Sequence, residues 1–325
     1  MIWSFEKKVL NLKVNWKLSR NQTTVKENIL VNYKTDLGVF SSEIAPNIRY
    51  GETLENIFVQ IEEFKKLAIE TKSSEGLLPR LDEISLKHSL RFALESCLIS
   101  DLAKSKGQTL TQYLGLPAVK AVPTSFSMPI IPVNEIEDYL KPLSRFKSLK
   151  IKVNAETGTE MLSEIRKHTN AYLRVDANEG WTDFEAFMKF QETLKGLNID
   201  FIEQPFPSHL QDEYRALKKQ TPYVIMADES IEDVGDFKSL SEQFHAINIK
   251  LMKTGSLTKA RDLLIKAKAH QMKTMIGCMI ETTIGISYGM LYSGMVEFVD
   301  LDGFLLVKDE PFHLVSETEG ILKLN

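Results

Sequence analysis

The chain has 325 residues, of which 43% are hydrophobic and 26% are charged, as in an ordinary globular protein. Its net charge of −4 gives no electrostatic reason to expect binding to nucleic acid or to an anionic membrane. No apolar run approaches the roughly 20 residues that span a bilayer, and the N-terminus lacks an apolar signal segment, so we expect a cytoplasmic protein. Cys97 and Cys278 lie in apolar surroundings and are expected to be free thiols.

The N-terminal third has the pattern of a small α+β domain, which we place at residues 1–116. Residues 3–16 and 25–36 alternate between apolar and polar side chains, which predicts two strands. A loop is expected from Ser41 to Thr53, because this stretch contains proline, asparagine and glycine. Two helices are predicted after it, over residues 54–71 and 81–105, where apolar residues recur at helical spacing.

From about residue 122, strand-like runs alternate with amphipathic helical stretches. The residues that end these runs lie 22 to 28 positions apart and are Lys152, Asp176, Glu203, Asp228, Lys250, Cys278 and Asp300. A βα unit that repeats about every 25 residues is typical of a parallel barrel. With a further run at Pro123–Met128, we predict an α/β fold, a modified TIM barrel (β/α)7β, over residues 117–308. An open doubly wound sheet is the alternative, but no glycine-rich phosphate loop follows the first strand.

Three acidic residues end consecutive predicted strands of this barrel. Asp176, Glu203 and Asp228 should therefore meet at the carboxyl end of the barrel, where active sites of this fold lie. Three neighbouring carboxylates repel one another unless a cation lies between them, and oxygen ligands select Mg²⁺ before Mn²⁺ or Ca²⁺. Each acidic residue alone could equally be a helix cap. Together they predict one Mg²⁺ ion per subunit.

Two lysines are expected to flank this metal. Lys150 and Lys152 lie two apart on one strand and so face the same way, while Lys250 ends a strand four places around the ring. A second ammonium and a metal both lower the pKa of a neighbouring lysine, so we expect Lys152 and Lys250 to act as bases beside a substrate carboxylate. Lys253, by contrast, is expected to face solvent.

The combined pattern resembles the enolase superfamily, in its muconate lactonising subgroup, and within it the dipeptide epimerases. The similarity lies in Lys150-Ile-Lys152, in the three carboxylates and in Asn248-Ile-Lys-Leu-Met-Lys253-Thr-Gly255, and it covers nearly the whole chain. It implies an isomerase in which one lysine removes the α-proton of the substrate's C-terminal residue and the other returns a proton to the opposite face, through a metal-stabilised enediolate. It also implies that Lys150, Asn178 and Glu229 support the site.

The resemblance further implies where the substrate binds. Asp300 and Asp302, in Phe298-Val-Asp-Leu-Asp-Gly303, would receive the α-ammonium of a dipeptide, since two carboxylates suit a cation. Arg20 lies where a loop of the N-terminal capping domain should cover the site, and would meet a glutamate side chain, as in L-Ala-D/L-Glu epimerases. Met279 and Ile280 would line the pocket. The C-terminal segment 309–325 would complete the capping domain.

Two departures from the family pattern concern backbone geometry. Phe40-Ser-Ser-Glu43 stands where Gly-x-Gly-Glu is usual, and Ser256 replaces a common glycine. Three alternatives stay open: a muconate cycloisomerase, an o-succinylbenzoate synthase or an N-succinylamino acid racemase. A catalytically silent metal-binding protein is disfavoured because both lysines and all three carboxylates are present. Barrels of this kind commonly associate, so a homo-oligomer stays open too, whereas the side chains of the dipeptide are not determined.

Overall fold

The computed structural model describes residues 2–18 and 22–325. The chain opens with an antiparallel sheet in the order β1 (Ile2–Lys17), β2 (Gln22–Thr35) and β3 (Gly38–Ile44). Residues 28–31 of β2 and the last three residues of β3 are buried in succession, so both faces of the sheet are covered there. Ile29, Val31 and Ile44 pack against helices on one face, and Asn28 bonds Ile280 of the barrel from the other. Within the described ranges, no helix is long and apolar enough to cross a membrane.

Four helices follow this sheet: α1 (Leu54–Glu70), α2 (Ser74–Arg80), α3 (His88–Ser105) and α4 (Leu110–Leu114). A capping box between Thr53 and Asn56 begins α1 and satisfies backbone N–H groups that the helix itself cannot bond. Helices α1 to α3 cover the sheet and form with it a hydrophobic core that is separate from the core of the barrel, whereas Leu114 of α4 packs in the barrel core. We refer to this sheet and its helices as the cap.

Eight parallel strands form the barrel in sequence order. They are β5 (Phe126–Met128), β6 (Ser148–Lys152), β7 (Tyr172–Asp176), β8 (Ile199–Glu203), β9 (Ile225–Ala227), β10 (Ala246–Lys250), β11 (Lys273–Gly277) and β12 (Phe298–Asp300). The helices that connect them are α5 (Ile136–Leu140), α6 (Gly158–His168), α7 (Phe184–Glu192), α8 (Gln211–Gln220), α9 (Phe237–Gln243), α10 (Leu251–Thr254), α11 (Leu257–Ala269) and α12 (Thr283–Met290). The first and last strands meet through a hydrogen bond of 3.3 Å from Ser125 N to Val299 O. The predicted (β/α)7β barrel is confirmed.

A short third sheet lies beside the barrel. Its strands are β4 (Val122–Pro123), β13 (Val315–Thr318) and β14 (Ile321–Leu324), and β14 pairs with both of the others. The C-terminal hairpin therefore pairs with the strand that precedes the barrel. The chain reaches the cap slightly earlier, where Lys308 N donates to Asn11 O and Val307 bridges Leu12. The division at residue 117 remains a prediction.

Three local predictions differ from the structure. Residues 41–44 belong to β3 and not to a loop, because they pair with β2 although they include Ser41, Ser42 and Glu43. The predicted helix over 81–105 begins only at His88, after α2 and a 3₁₀ turn. The run at Pro123–Met128 divides between two sheets, because β4 pairs with the C-terminal hairpin and β5 enters the barrel.

Two buried carboxylates of the cap bind the N-termini of two barrel helices. Glu43 accepts hydrogen bonds from Thr282 N (2.9 Å) and Thr282 Oγ1 (2.5 Å), just before α12. Glu95 accepts from Ser256 Oγ (2.7 Å) and Leu257 N (2.8 Å) at the start of α11. A carboxylate at a helix N-terminus satisfies free N–H groups and complements the helix dipole. These contacts fix the cap over the carboxyl end of the barrel.

We predict that Glu43→Gln destabilises the protein by about 2 kcal/mol, because both carboxylate oxygens accept hydrogen bonds and an amide NH₂ would face donors. The free energy of unfolding from urea denaturation measures the change. Glu27→Gln is the matched control, since Glu27 pairs with Lys7 at the surface; its effect should stay within about 0.5 kcal/mol. Equal effects of the two variants would contradict the role of Glu43.

A third acidic residue at this interface, Glu281, is buried in the loop between β11 and α12. Burial, and then the nearby charge of Glu43, raise the pKa of its carboxyl to about 8. The folded state therefore holds a proton that the unfolded state releases near the ordinary carboxyl pKa of about 4.3. The stability that this group contributes is fully present below that value and is lost as the pH rises through about 8.

We predict that Glu281→Gln reduces the loss of stability with rising pH. The measurement is the free energy of unfolding at several values between about pH 5 and about pH 8, in wild type and variant. Glu62→Gln, at an exposed position of α1, serves as the control and should follow the wild-type curve. Parallel curves for Glu281→Gln and wild type would show that Glu281 titrates normally.

Candidate active site

The carboxyl ends of the barrel strands carry a ring of buried charged side chains. Lys152, Asp176, Glu203, Lys250 and Asp300 each end a strand, and Asp228 directly follows β9. All six are at most 8% exposed. They lie below a cavity of about 470 Å³, which is roofed by residues of the cap. The predicted strand-end residues thus come together in one place.

Lys150, two residues before the end of β6, links three of the carboxylates. Its Nζ lies 3.0 Å from Asp176 Oδ2, 2.8 Å from Glu203 Oε2 and 2.9 Å from Asp300 Oδ2. Burial opposes the charge of Lys150, but these carboxylates outweigh burial and raise its pKa well above the ordinary value. Asp176 Oδ2 is shared between Lys150 and Lys152, at 3.0 and 2.5 Å from their ammonium nitrogens.

The two proposed bases lie on separate strands and each contacts one carboxylate. Lys152 Nζ is 2.5 Å from Asp176 Oδ2, and Lys250 Nζ is 2.7 Å from Asp228 Oδ2. Both lysines line the cavity. Burial of Lys250 favours its neutral form, but the charge of Asp228 dominates and raises its pKa. The contact with Asp228 thus stabilises the ammonium form of Lys250.

Lys253 is a correction to the sequence analysis, because its side chain is only 1% exposed and does not reach solvent. The single turn of α10 directs its Nζ back under the site, where it donates to Asp228 Oδ1 (2.5 Å) and to the carbonyl oxygens of Asp228 and Ile231. Lys253 thus fixes one of the three proposed metal ligands. The sequence signal for an inward-facing Lys253 was the motif from Asn248 to Gly255, which continues beyond the end of β10 and includes this lysine.

The donor chemistry of Asp176, Glu203 and Asp228 fits a hard divalent cation. Glu203 Oε2 is buried and makes no hydrogen bond, although Lys150 Nζ lies 2.8 Å away, which marks it as an acceptor with spare capacity. In the described residues no three acidic, histidine or cysteine side chains are arranged to hold a metal ion, and the Lys150 ammonium lies between Asp176, Glu203 and Asp300. A cation would take the place of these ammonium contacts.

Asn178 and Glu229 lie beside the carboxylate ring. Asn178 has a left-handed backbone conformation, with φ of 45°, and its N–H donates to Asp176 Oδ1 at 3.1 Å. Its Nδ2 lies 3.4 Å from Glu229 Oε1, and both side chains line the cavity. The loop after β7 therefore orients Asp176 and brings an amide toward Glu229.

Asp300 and Asp302 form another wall of the cavity. Asp300 Oδ1 accepts from Ser125 Oγ at 2.5 Å, and Asp302 Oδ2 accepts from Ser127 N at 2.5 Å. Burial, and then the neighbouring Asp300, raise the pKa of Asp302 to about 7. A buried pair of carboxylates that share a cavity wall favours a bound cation, because a positive charge relieves their repulsion.

The cap lines the outer part of the cavity. Met279 and Ile280, from the loop after β11, also line the cavity, and Asn28 Nδ2 donates to Ile280 O. Arg20 lies outside the described residues. The sequence analysis did not identify Lys26 of β2, which also lines the cavity and donates to Pro46 O. No feature of the alternating β2 sequence showed which face of the strand would meet the barrel.

Comparisons with known proteins agree with this arrangement. Residues 134–312 match the family described as Enolase C-terminal domain-like. The L-Ala-D/L-Glu epimerase of Bacteroides thetaiotaomicron is 32% identical over 93% of this chain and 79% of its own, and a hydrophobic dipeptide epimerase of a Flavobacteria bacterium is 30% identical over 99% and 95%. A dipeptide epimerase from Methylococcus capsulatus, solved in complex with Mg and the dipeptide L-Arg-D-Lys, superimposes with a TM-score of 0.89 at 26% identity, covering 100% of this chain and 96% of that one. The chain therefore belongs to the enolase superfamily, among its dipeptide epimerases.

Proposed function

We propose that this protein is a Mg²⁺-dependent dipeptide epimerase that inverts the α-carbon of the C-terminal residue. One observation carries the proposal: Lys152 and Lys250 line the same cavity from separate strands, with the carboxylate ring between them and a pair of carboxylates on the adjoining wall. Two bases on opposite sides of one carbon are what inversion by proton exchange requires. We further propose that it acts in the cytoplasm on small peptides.

The proton transfer is assigned to the lysines. Lys152, at the end of β6, faces one side of the cavity, and Lys250, at the end of β10, faces the other. One lysine in its neutral form removes the α-proton, and the other, as an ammonium, returns a proton to the opposite face. For each direction of the reaction the roles are exchanged.

The metal assigned to this site is Mg²⁺, one ion per subunit, with Asp176, Glu203 and Asp228 as its ligands. When bound, it supplies positive charge next to the substrate carboxylate, which acidifies the α-C–H. Lys150, Lys253, Asn178 and Glu229 are assigned the support of these ligands, since Lys150, Lys253 and Asn178 bond the carboxylates directly and Asn178 reaches Glu229. The Methylococcus relative was solved with Mg bound, which supports this choice of metal.

The two ends of the substrate are distinguished by charge. Asp300 and Asp302 are proposed to receive the α-ammonium of the N-terminal residue, because both are buried and face the cavity. The substrates of a muconate cycloisomerase or an o-succinylbenzoate synthase carry carboxylates that these aspartates would repel. The dipeptide reading is therefore preferred over those alternatives and over an N-succinylamino acid racemase.

The far side chain of the substrate is proposed to lie near Lys26 and Arg20. Among the described cations of the cavity, Lys150, Lys152, Lys250 and Arg49 each pair with a carboxylate. Lys26 instead donates to the carbonyl of Pro46, so its charge has no directly bonded carboxylate. An acidic side chain of the dipeptide, such as glutamate, would supply one. Met279 and Ile280 would contact its apolar part.

The test of the proposed function is proton exchange in D₂O. Purified protein with Mg²⁺ and a dipeptide library that includes L-Ala-L-Glu should incorporate deuterium at the C-terminal α-carbon with inversion, as followed by NMR. Lys152→Ala and Lys250→Ala should each lower epimerisation by a factor on the order of 10² to 10⁴. Chelation should abolish turnover, and added Mg²⁺ should restore it.

Lys195→Ala is the matched control for these variants, because Lys195 lies at the surface and its side chain is 74% exposed. It should retain wild-type exchange. No exchange with any dipeptide, together with turnover of a muconate or succinyl compound, would refute the proposal.

A separate prediction concerns Lys26. Lys26→Met should lower kcat/KM for an acidic dipeptide such as L-Ala-L-Glu about tenfold, since a charge-assisted hydrogen bond is lost, and should affect L-Ala-L-Leu much less. Steady-state kinetics with both substrates measure the ratio. Lys13→Met, at an exposed position of β1, should leave the ratio unchanged. Equal losses for both dipeptides would mean that Lys26 has only a structural role.

A further inference from the structure

A buried arginine lies inside the barrel, beneath the carboxylate ring. Arg174, on β7, is only 7% exposed, and its guanidinium packs against the rings of Phe201 and Phe298, 5.5 and 5.2 Å from their centres. These aromatic faces, one from β8 and one from β12, hold the cation in place and exclude water from it. Nothing in the proposed reaction uses this charge.

The hydrogen bonds of Arg174 lead toward the site. Its Nε donates to Asp200 Oδ2 at 3.1 Å, which anchors the guanidinium near the base of the barrel. Its Nη1 donates to Val299 O at 2.8 Å and to Ser125 Oγ at 3.1 Å. The second of these contacts lies at the seam where the first and last strands of the barrel meet.

Ser125 links Arg174 to Asp300 through its hydroxyl group. The serine is fully buried, and its Oγ lies 2.5 Å from Asp300 Oδ1. An arginine can only donate hydrogen bonds, and a hydroxyl has a single hydrogen to give. Because Ser125 Oγ accepts from Arg174, its own hydrogen is free to point at Asp300. The direction of the chain Arg174 to Ser125 to Asp300 is therefore fixed.

This direction determines which oxygen of Asp300 serves the cavity. Oδ1 is engaged by the Ser125 hydroxyl, while Oδ2 faces Lys150 Nζ at 2.9 Å. Hydrogen bonds to both oxygens, from the Ser125 hydroxyl to Oδ1 and from Lys150 Nζ to Oδ2, restrict rotation of the Asp300 carboxylate, which lines the cavity. The rings of Phe201 and Phe298 exclude water from the Arg174 guanidinium, which strengthens the hydrogen bonds from Arg174 through Ser125 to Asp300.

We propose that Arg174 and Ser125 are positioning residues that hold Asp300 in the orientation that receives the substrate's α-ammonium. This inference rests on the proposed function, because it takes Asp300 as the ammonium seat. Neither residue touches the substrate. The alternative is that Arg174 only fills the base of the barrel, in which case its loss would affect stability and not substrate binding.

The test compares Ser125→Ala with Thr124→Val, using the dipeptide that wild type turns over fastest. Thr124 is the matched control, because its buried hydroxyl bonds the backbone at Ser125 O and Leu301 N and, among the described residues, makes no hydrogen bond to the Asp300 side chain. Ser125→Ala should raise KM about tenfold and change kcat by less than about threefold. Thr124→Val should lower the melting temperature without raising KM.

Two arginine variants give a second readout. Arg174→Met should raise KM as Ser125→Ala does, and Arg174→Lys should restore part of the loss, because an ammonium can still donate to Ser125. If Arg174→Met does not fold, the comparison of Ser125→Ala with Thr124→Val still tests the inference. A KM for Ser125→Ala within about twofold of wild type would overturn the inference, as would equal KM effects of Ser125→Ala and Thr124→Val.

The variant Asp300→Asn distinguishes the positioning role of Ser125 and Arg174 from the proposed binding of the substrate's ammonium by Asp300. If Asp300→Asn raises KM and Ser125→Ala does not, only the positioning role fails. If Asp300→Asn leaves KM unchanged, or if wild type turns over no dipeptide, the ammonium seat is wrong and both proposals fall.

Discussion

The burial of charged side chains at one end of the barrel is the constraint on which the site depends. Six carboxylates and lysines lie at the strand ends with little exposure, and such charges are costly unless each has a partner. Lys150 meets three carboxylates at 2.8 to 3.0 Å, and Lys253 secures Asp228 from below. The surrounding strands, each buried on both faces, hold these partners in fixed register.

The cap is attached by the same kind of interaction. The carboxylates of Glu43 and Glu95 extend from the cap and accept hydrogen bonds from backbone N–H groups at the N-termini of α12 and α11. These donors of the barrel therefore set the position of the cap. Arg49, at the cavity edge, adds a bidentate contact to Glu179 in the loop after β7, with distances of 3.0 and 2.8 Å. The cavity is therefore enclosed by the cap on one side and by the barrel on the other, which defines its volume.

Much of the fold could be predicted because its signal repeats. The βα period and the charged residue that ends each run indicated the barrel, and the spacing placed Asp176, Glu203 and Asp228 on neighbouring strands. Lys253 was misjudged because a lysine three residues past a strand usually faces solvent, and only the single turn of α10 brings it inward. Lys26 was missed since strand alternation does not tell which face meets another domain. Arg174 was not singled out, because its depth inside the barrel is a property of packing alone.

The carboxylates that dock the cap have a consequence for the order of folding. Synthesis delivers the cap first, at a time when α11 and α12 are not yet made. At that stage Glu43 and Glu95 lack the helix N-termini that donate hydrogen bonds to them in the finished protein. The cap sheet can form its own apolar core early, yet its inner surface stays hydrated until the second half of the chain emerges. The two parts of this enzyme thus reach their final state together, with the last barrel helices completing a domain that was translated long before them.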